Sequence, residues 1–390
     1  MRRLRRKFRK NRNKIILTTA FALVFCLCVG YAAFQTTINF NIKGNIKKKT
    51  FTPRDLTKNV VSSGYVGLVA DYIEEGRYFY EGLSPDNYIK LGSDMYRIIS
   101  LESDGTLKVM KNGSIGSKVF DPGYETVIDG VTSANSNLGT RYSSVSTDYC
   151  YNADSSKYSG CNAWGSKTTM LDKNGNNVTQ MPLEVDGTLK NLPDKEAYLN
   201  TYLNSEWYSL LDSSFRPKIV THLFNVGVTK IDEDSFTNTI SQEKAYKWRG
   251  KVGILSTSDY VRASVACKSV RSATYYNGNI PVPPSSPVLT SVSTSDSDSS
   301  WFCFYSNNNS NWIYKAIDNS YKTGETKEYF TSSQSTSASN SILTPSLRDN
   351  GVLMSDYVSN SNGVVPVFYL SSDIILTGSG TESDPYILKE

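Results

Sequence analysis

The first pattern along the chain is a block. Residues 2–14 carry nine basic side chains and no acid, and the twenty residues from Ile15 to Phe34 carry no charge at all. A helix of that length spans about 30 Å, the depth of a bilayer's hydrocarbon core. Basic flanks stay on the cytoplasmic side, so the pattern predicts a cytoplasmic tail at 1–14 and a transmembrane signal-anchor helix at 15–34. Everything after it would then be extracellular, held to the cell membrane by a single pass. A cleaved signal peptide is the alternative. Gly30-Tyr31-Ala32 places small residues where a signal peptidase reads, and cleavage after Ala32 would secrete the chain. The anchor is favoured because the apolar stretch exceeds an ordinary signal-peptide core of about 7–15 residues.

Beyond the block, short periods take over. Residues 35–63 read as a stalk, with Ile38, Phe40 and Ile42 giving way to Lys47-Lys48-Lys49. From residue 64 to 390 the pattern is that of one extracellular globular domain. Tyr88 to Leu91, Met95 to Leu101 and Leu107 to Lys111 are β-type runs separated by Gly92-Ser93-Asp94 and by a turn holding Asp104-Gly105, which predicts an antiparallel meander. Residues 114–191 are rich in Gly, Ser, Asn and Asp without a clear period and read as a long loop. Leu199, Leu203, Trp207 and Leu210/Leu211 recur at helical spacing, predicting a helix from Asp194, its cap, to Leu211. A second helix is expected over Ser241–Arg249, then a strand over Val252–Leu255 and a third helix capped by Ser258 and reaching Cys267. Residues 269–300 and 331–341 read as surface loops. Trp301 to Tyr305, Trp312 to Tyr314, Val364 to Leu370, Ile374 to Leu376 and Tyr386 to Leu388 read as strands, with a turn at Gly378-Ser379-Gly380-Thr381. Strands with segregated short helices make the expected class α+β, a single mixed, mainly antiparallel β ectodomain.

Charge changes the picture. The formal net charge is +5, but the tail accounts for nine positive charges, so the remainder is acidic. Taking away the basic stalk as well leaves −9 for residues 59–390, which excludes nucleic acid as the partner to expect. The apolar share is 39%, below the usual ~45–50%, and the surplus is uncharged polar. A single histidine, His222, excludes His-rich metal sites and the HExxH helix. Its setting, Ile219-Val220-Thr221-His222-Leu223-Phe224, reads as a strand or core edge and supplies neither a nucleophile nor an orienting third group. Gly378-x-Gly380 has no following Lys and reads as a hairpin turn, and Asp296-Ser297-Asp298 lacks the Gly and Glu of a calcium loop. Asp232-Glu233-Asp234 reads as a solvated acidic turn. No catalytic, metal or cofactor residue is assigned. Four cysteines lie beyond the apolar block: Cys150, Cys161, Cys267 and Cys303. Outside the cell an even count predicts disulfides, and the sequence-local pairing is Cys150–Cys161 with Cys267–Cys303.

Aromatic content is the one positive sign of binding. Trp312 and Tyr314, with Asn308 and Asn311, combine flat rings with amide donors and form the candidate ligand-binding set, suited to a glycan or a protein. The competing reading buries Trp301, Cys303 and Tyr305 in a β-rich core with Trp312 closing it, and it is favoured because Trp and Tyr are common in such cores.

Five stretches carry a resemblance. Asn87-Tyr88-Ile89-Lys90-Leu91-Gly92 to Tyr96-Arg97-Ile98-Ile99, then Gly160-Cys161-Asn162, then Lys251 to Leu255 with Asp259-Tyr260, resemble a group of uncharacterised surface proteins of Gram-positive-type bacteria. The ending Val365 to Leu370, Gly378 to Thr381 and Asp384-Pro385-Tyr386 is similar to that group's closing motif, and Gly30 to Phe34 with Thr36-Thr37 resembles its export segments. More distantly the pattern is similar to C-type-lectin-like folds. Calcium-binding Glu-Pro-Asn and Trp-Asn-Asp motifs are missing from the chain, so the resemblance implies no calcium-dependent sugar binding. The function expected is non-enzymatic recognition of, or adhesion to, an extracellular ligand. A structural or biofilm component is the alternative, and a carboxylate-based secreted enzyme the next.

Overall fold

A computed structural model describes residues 23–24 and 49–389 except 63–64, 72, 123–126, 129–130, 133–140, 142, 152–159, 185, 230–235, 265–310, 319–328, 331–333, 336–342 and 348–352. The chain divides into Met1–Lys49 and Thr50–Glu390. The expected tail, anchor and membrane-side stalk lie almost wholly outside the described residues, among which no helix is long and apolar enough to cross a membrane.

The second unit is α+β, built mainly of strands with a few short helices. Ten strands make its central sheet: β1 Gly67–Ala70, β2 Tyr78–Glu81, β3 Tyr88–Leu91, β4 Asp94–Leu101, β5 Leu107–Lys111, β6 Ile219–Val220, β7 Val252–Ile254, β8 Pro366–Leu370, β9 Leu376–Thr377 and β10 Tyr386–Leu388. The spatial order is β6-β8-β5-β4-β3-β10-β9, with β2 on the end of β4, β1 on β2, and β7 sharing the outer edge of β8 with β6. Every pairing is antiparallel except β10 on β3. The expected meander is present as β3-β4-β5. Leu91 pairs with Asp94 across a two-residue turn whose first position, Gly92, has φ +60°, a conformation that side chains with a Cβ rarely adopt.

Register decides what each face carries. Ile98, Val109 and Phe368 stand in one cross-strand row, with Tyr96 further along the same face. On that face Tyr96 and Phe368 meet at 5.4 Å, Phe215 lies 6.2 Å from Phe368, and Trp207 lies 6.5 Å from it. A bulge between Ile98 and Ser100 then shifts the register, so Arg97 and Ser100 both look to the opposite face with Lys108, Met110 and Tyr369. There Arg77 donates to Ser100 and Glu102 and pairs with Asp71, while Lys108 reaches Asp259 at 2.6 Å. Charges this deeply buried persist because each has an opposite partner.

Helix α1, residues 198–210, runs as α over Tyr198–Tyr202, π over Leu203–Trp207 and α again over Tyr208–Leu210. It starts four residues after Asp194, whose side chain pairs with Lys167 and caps nothing. The orphan N–H of Tyr198 goes instead to the Asp121 carboxylate at 3.3 Å, and that of Leu199 to the Phe120 carbonyl. The expected Ser241–Arg249 helix divides. Helix α2 covers Phe236–Glu243, and Tyr246–Gly250 is a strand on His222–Asn225 because Trp248 is buried against Phe224 and Trp164. Helix α3 covers Thr257–Arg262, and its cap is Ser256, not Ser258: Ser256 Oγ accepts from the Asp259 N–H while Asp259 accepts from the Ser256 N–H. Trp312 to Tyr314, expected as a strand, opens helix α4, Trp312–Asp318. The long 114–191 loop contains Met170–Asp172, Gln180–Pro182 and Leu189–Asn191 as strands around a fully buried Trp164. A hairpin of Leu343–Leu347 with Leu353–Tyr357 was not expected from the pattern.

Cys150 and Cys161 form the local disulfide. The Asp121–Arg141 ion pair frames it, for Asp121 accepts from the Cys161 N–H and Arg141 donates to the Cys161 carbonyl. Gly160 precedes it because a Cβ there would stand 2.6 Å from the Asp121 carbonyl oxygen. Cys267, Cys303, the Trp301–Tyr305 run and both acidic clusters, 232–234 and 296–298, lie outside the described residues.

Candidate functional site

A groove of about 610 Å³ opens where the β3–β4 turn faces the C-terminal end of α1. The sheet brings Leu91, Ser93, Asp94, Tyr96 and Lys111; the helix and the loop after it bring Trp207, Leu210, Leu211, Asp212, Ser213 and Phe215. Its floor is apolar and closed. Tyr96 is 1% exposed, Phe215 2% and Trp207 8%, whereas Leu210 on the lip is 79% exposed. Gly92 makes the two walls meet, since a Cβ there would lie 2.7 Å from Asp212 Oδ2.

The rim is charged on both sides. Lys111 Nζ pairs with Asp94 at 3.0 Å and stands 5.1 Å over the Tyr96 ring. Burial, with the Asp94 charge adding to it, pushes the Tyr96 hydroxyl up, so it keeps its proton. Asp212 closes the turn after α1: Oδ1 accepts from the Ser214 N–H at 2.8 Å, and its carbonyl accepts from Phe215 and Arg216. The Ser214 N–H and hydroxyl hold its carboxyl below the ordinary range. A general acid requires the opposite shift.

The candidates named from sequence stand elsewhere. Asn311 Oδ1 accepts from the Ile313 and Tyr314 N–H groups and so starts α4, while its Nδ2 donates to the Tyr260 carbonyl. Trp312 is 1% exposed, donates to the Tyr80 carbonyl at 2.9 Å and has Arg97 4.9 Å over its ring. Tyr314 is half-buried against the same core, and Asn308 lies outside the described residues. Asn311, Trp312 and Tyr314 therefore serve the core and a helix cap, as the competing reading had Trp312 do, and none of them lines the groove.

His222 is held at the sheet edge, stacked on Tyr369 at 3.9 Å. Its Nε2 is shared between Asp104 at 3.1 Å and Thr106 at 3.4 Å, with Nδ1 near the Leu223 carbonyl. A hydroxyl–imidazole–carboxylate relay needs the hydroxyl and the carboxylate on different nitrogens, so this trio is not one.

A second basin, of about 740 Å³, lies beside the disulfide between Arg141, Asp148, Lys167 and Asp194. Two of its cations are already engaged. Lys167 pairs with Asp194, and Arg141 is committed to Asp121 and to the carbonyls of Cys161 and Ala163.

Sequence reasoning missed the groove because its walls are more than a hundred residues apart. The one usable signal was the Leu210-Leu211 doublet: adjacent helical residues point about 100° apart, so a single core face does not bury both.

No family model matches the chain, and no curated protein or solved structure matches it.

Proposed function

We propose that the chain is a membrane-anchored extracellular module that recognises a glycan or protein ligand without transforming it, and that the groove between the β3–β4 turn and α1 is where it does so. The observation that carries this is the exposed Leu210 standing on a closed aromatic floor and ringed by Asp94, Lys111 and Asp212. The groove's exposed lining is mainly polar around that leucine, and placed polar groups are what orient a ligand in such a site. Two observations support recognition over catalysis. Asp212 is held ionised where an acid catalyst would be held protonated, and the lone histidine is engaged at the sheet edge. Anchoring rests on the basic tail and the apolar 15–34 block, and the Cys150–Cys161 bridge fits an oxidising compartment. Kinship with C-type-lectin-like surface proteins belongs to the same proposal and rests on the motif resemblance.

The test is binding of the full chain in lipid nanodiscs to glycan and peptide arrays, alongside Leu210→Glu. We expect signal on one array that the variant loses at an unchanged unfolding midpoint. Silence on both arrays with self-association at micromolar concentration would replace this reading by the structural or biofilm one.

A further inference from the structure

We infer that the ligand is a peptide presenting a lysine-type alkylammonium, with its charge on Asp212 and its aliphatic stem along Leu210 and the edge of Trp207. This rests on the groove being the recognition site and names what it recognises.

Three features of the groove lead there. The first is an uncompensated charge. Asp71 and Asp259 in the sheet's buried network each have a cation, and Asp94 has Lys111, but among the described residues no cation pairs with Asp212. The second is an internal precedent. Lys111 places an ammonium over a tyrosine ring beside a carboxylate, an arrangement that favours cations in water. Across the groove Asp212 supplies a carboxylate on the same lining as Trp207, without an ammonium. The third is the form of the apolar surface. A pyranose ring stacks on an open aromatic face, and the floor rings, at 1%, 2% and 8% exposure, offer none. Leu210 offers a projecting aliphatic side chain instead, which suits the methylene stem of a lysine. The groove's 610 Å³ exceeds what one side chain occupies, so flanking peptide atoms fit beside it. Attraction at longer range has the same sign. Thirteen basic residues and no acid precede Thr50, so the +5 of the chain becomes −8 for the unit that carries the groove.

Asp212→Asn is the selective variant, because an Asn Oδ1 still accepts from the Ser214 N–H and the turn is kept. The measurement is isothermal titration of the full chain in nanodiscs, at low salt, with acetyl-Ala-Lys-Ala-amide and with its norleucine counterpart, which keeps the stem and drops the charge. We expect the lysine peptide to bind roughly three- to fivefold tighter than the norleucine one. Asp212→Asn should erase that ratio, and 0.5 M salt should reduce it. Leu210→Ser should weaken both peptides together. Equal binding of the two peptides, an unchanged ratio in Asp212→Asn, or no binding of either overturns the inference. Binding of glucosamine in their place, lost on N-acetylation, moves the cation onto a sugar and overturns the peptide assignment. The recognition reading falls separately, by an array signal that Leu210→Glu leaves intact.

Discussion

At the scale of single residues, buried carboxylates shift in opposite directions and so predict a pH optimum. Glu243 is fully buried, and its two oxygens accept from the Thr257 and Ser258 N–H groups at the start of α3. Burial pushes its carboxyl from 4.5 up to about 7; Ser258 and Lys108 oppose the rise and Asp259 adds to it. Between those two values the folded protein holds a proton that the unfolded chain has released. Stability therefore falls as pH rises through that window, by roughly 3 kcal/mol from this group alone. Asp71, Glu74 and Asp259 behave in the reverse sense. Burial pushes each up, but Arg262 and Arg77 on Asp71, Arg77 and Arg262 on Glu74, and Lys108 and Arg77 on Asp259 outweigh it and hold them low. Their contribution is present above the ordinary carboxylate range and is lost as pH falls through their lowered values. The urea midpoint should accordingly rise from pH 8 to pH 5.5, then collapse in stronger acid. Burial also pushes Asp121 and Glu196 up, so Glu243→Gln should make the first limb shallower and leave the second. An identical slope from pH 8 to 5.5 in the variant would remove Glu243 as its origin.

At the scale of elements, the disulfide loop gives the cleanest prediction. Cys150 and Cys161 are eleven positions apart, and closing a loop of that size contributes roughly 2–4 kcal/mol. Asp121 and Arg141 grip the Cys161 backbone independently of the sulfur, so Cys150→Ser should cost the lower figure, about 2 kcal/mol. Thermal unfolding should drop in the variant, and its midpoint should respond less to reductant than the wild type does, whereas a wild-type midpoint indifferent to reductant would refute the contribution. The same loop shows what the sequence makes legible. Strands β3, β4, β5 and β8 could be read because short apolar β-type runs and the Gly or Asp turns that bound them are local properties, and the local cysteine pairing was readable for the same reason. Helix limits were not, because their caps come from afar. Asp121, 77 positions upstream, takes the Tyr198 N–H that Asp194 was expected to serve. Where the cap is local, as at Asn311, its Asn looked like a ligand donor, and only the buried Trp312 beside it shows that the amide is spent on the helix. The groove lay beyond reach because a hairpin turn and a helix end acquire chemistry only when the sheet brings them together.

At the scale of the molecule, the boundary between tether and domain moves. The stalk was expected to run to residue 63, yet residues 51–61 belong to the folded unit. Phe51 exchanges both backbone hydrogen bonds with Leu376 and meets the Tyr386 ring at 5.6 Å. Pro53–Asn59 forms a 3₁₀ turn that buries Leu56 to 2% exposure, and the Val61 N–H donates to the Leu68 carbonyl. These contacts fasten the start of the domain to β9 and β10, the strands that end it, and β10 in turn lies parallel on β3, beside the hairpin turn that forms one wall of the groove. A chain beginning at Thr50 should match the full chain in unfolding midpoint, whereas one beginning at residue 64 loses Phe51 and Leu56 from the core. Removing a buried leucine alone costs about 2–5 kcal/mol, so the shorter chain should unfold at a clearly lower urea concentration. It should also lose groove binding at temperatures where the Thr50 chain keeps it, since β10, the neighbour of β3, then loses the Phe51 ring packed on its Tyr386. Equal stability of the two truncations would return residues 50–63 to the stalk. If instead the longer one alone is stable, the covalent tether between Phe34 and the domain is fifteen residues, at most about 50 Å when fully extended. On the membrane-anchored reading, that length sets how far from the bilayer the groove can meet its ligand.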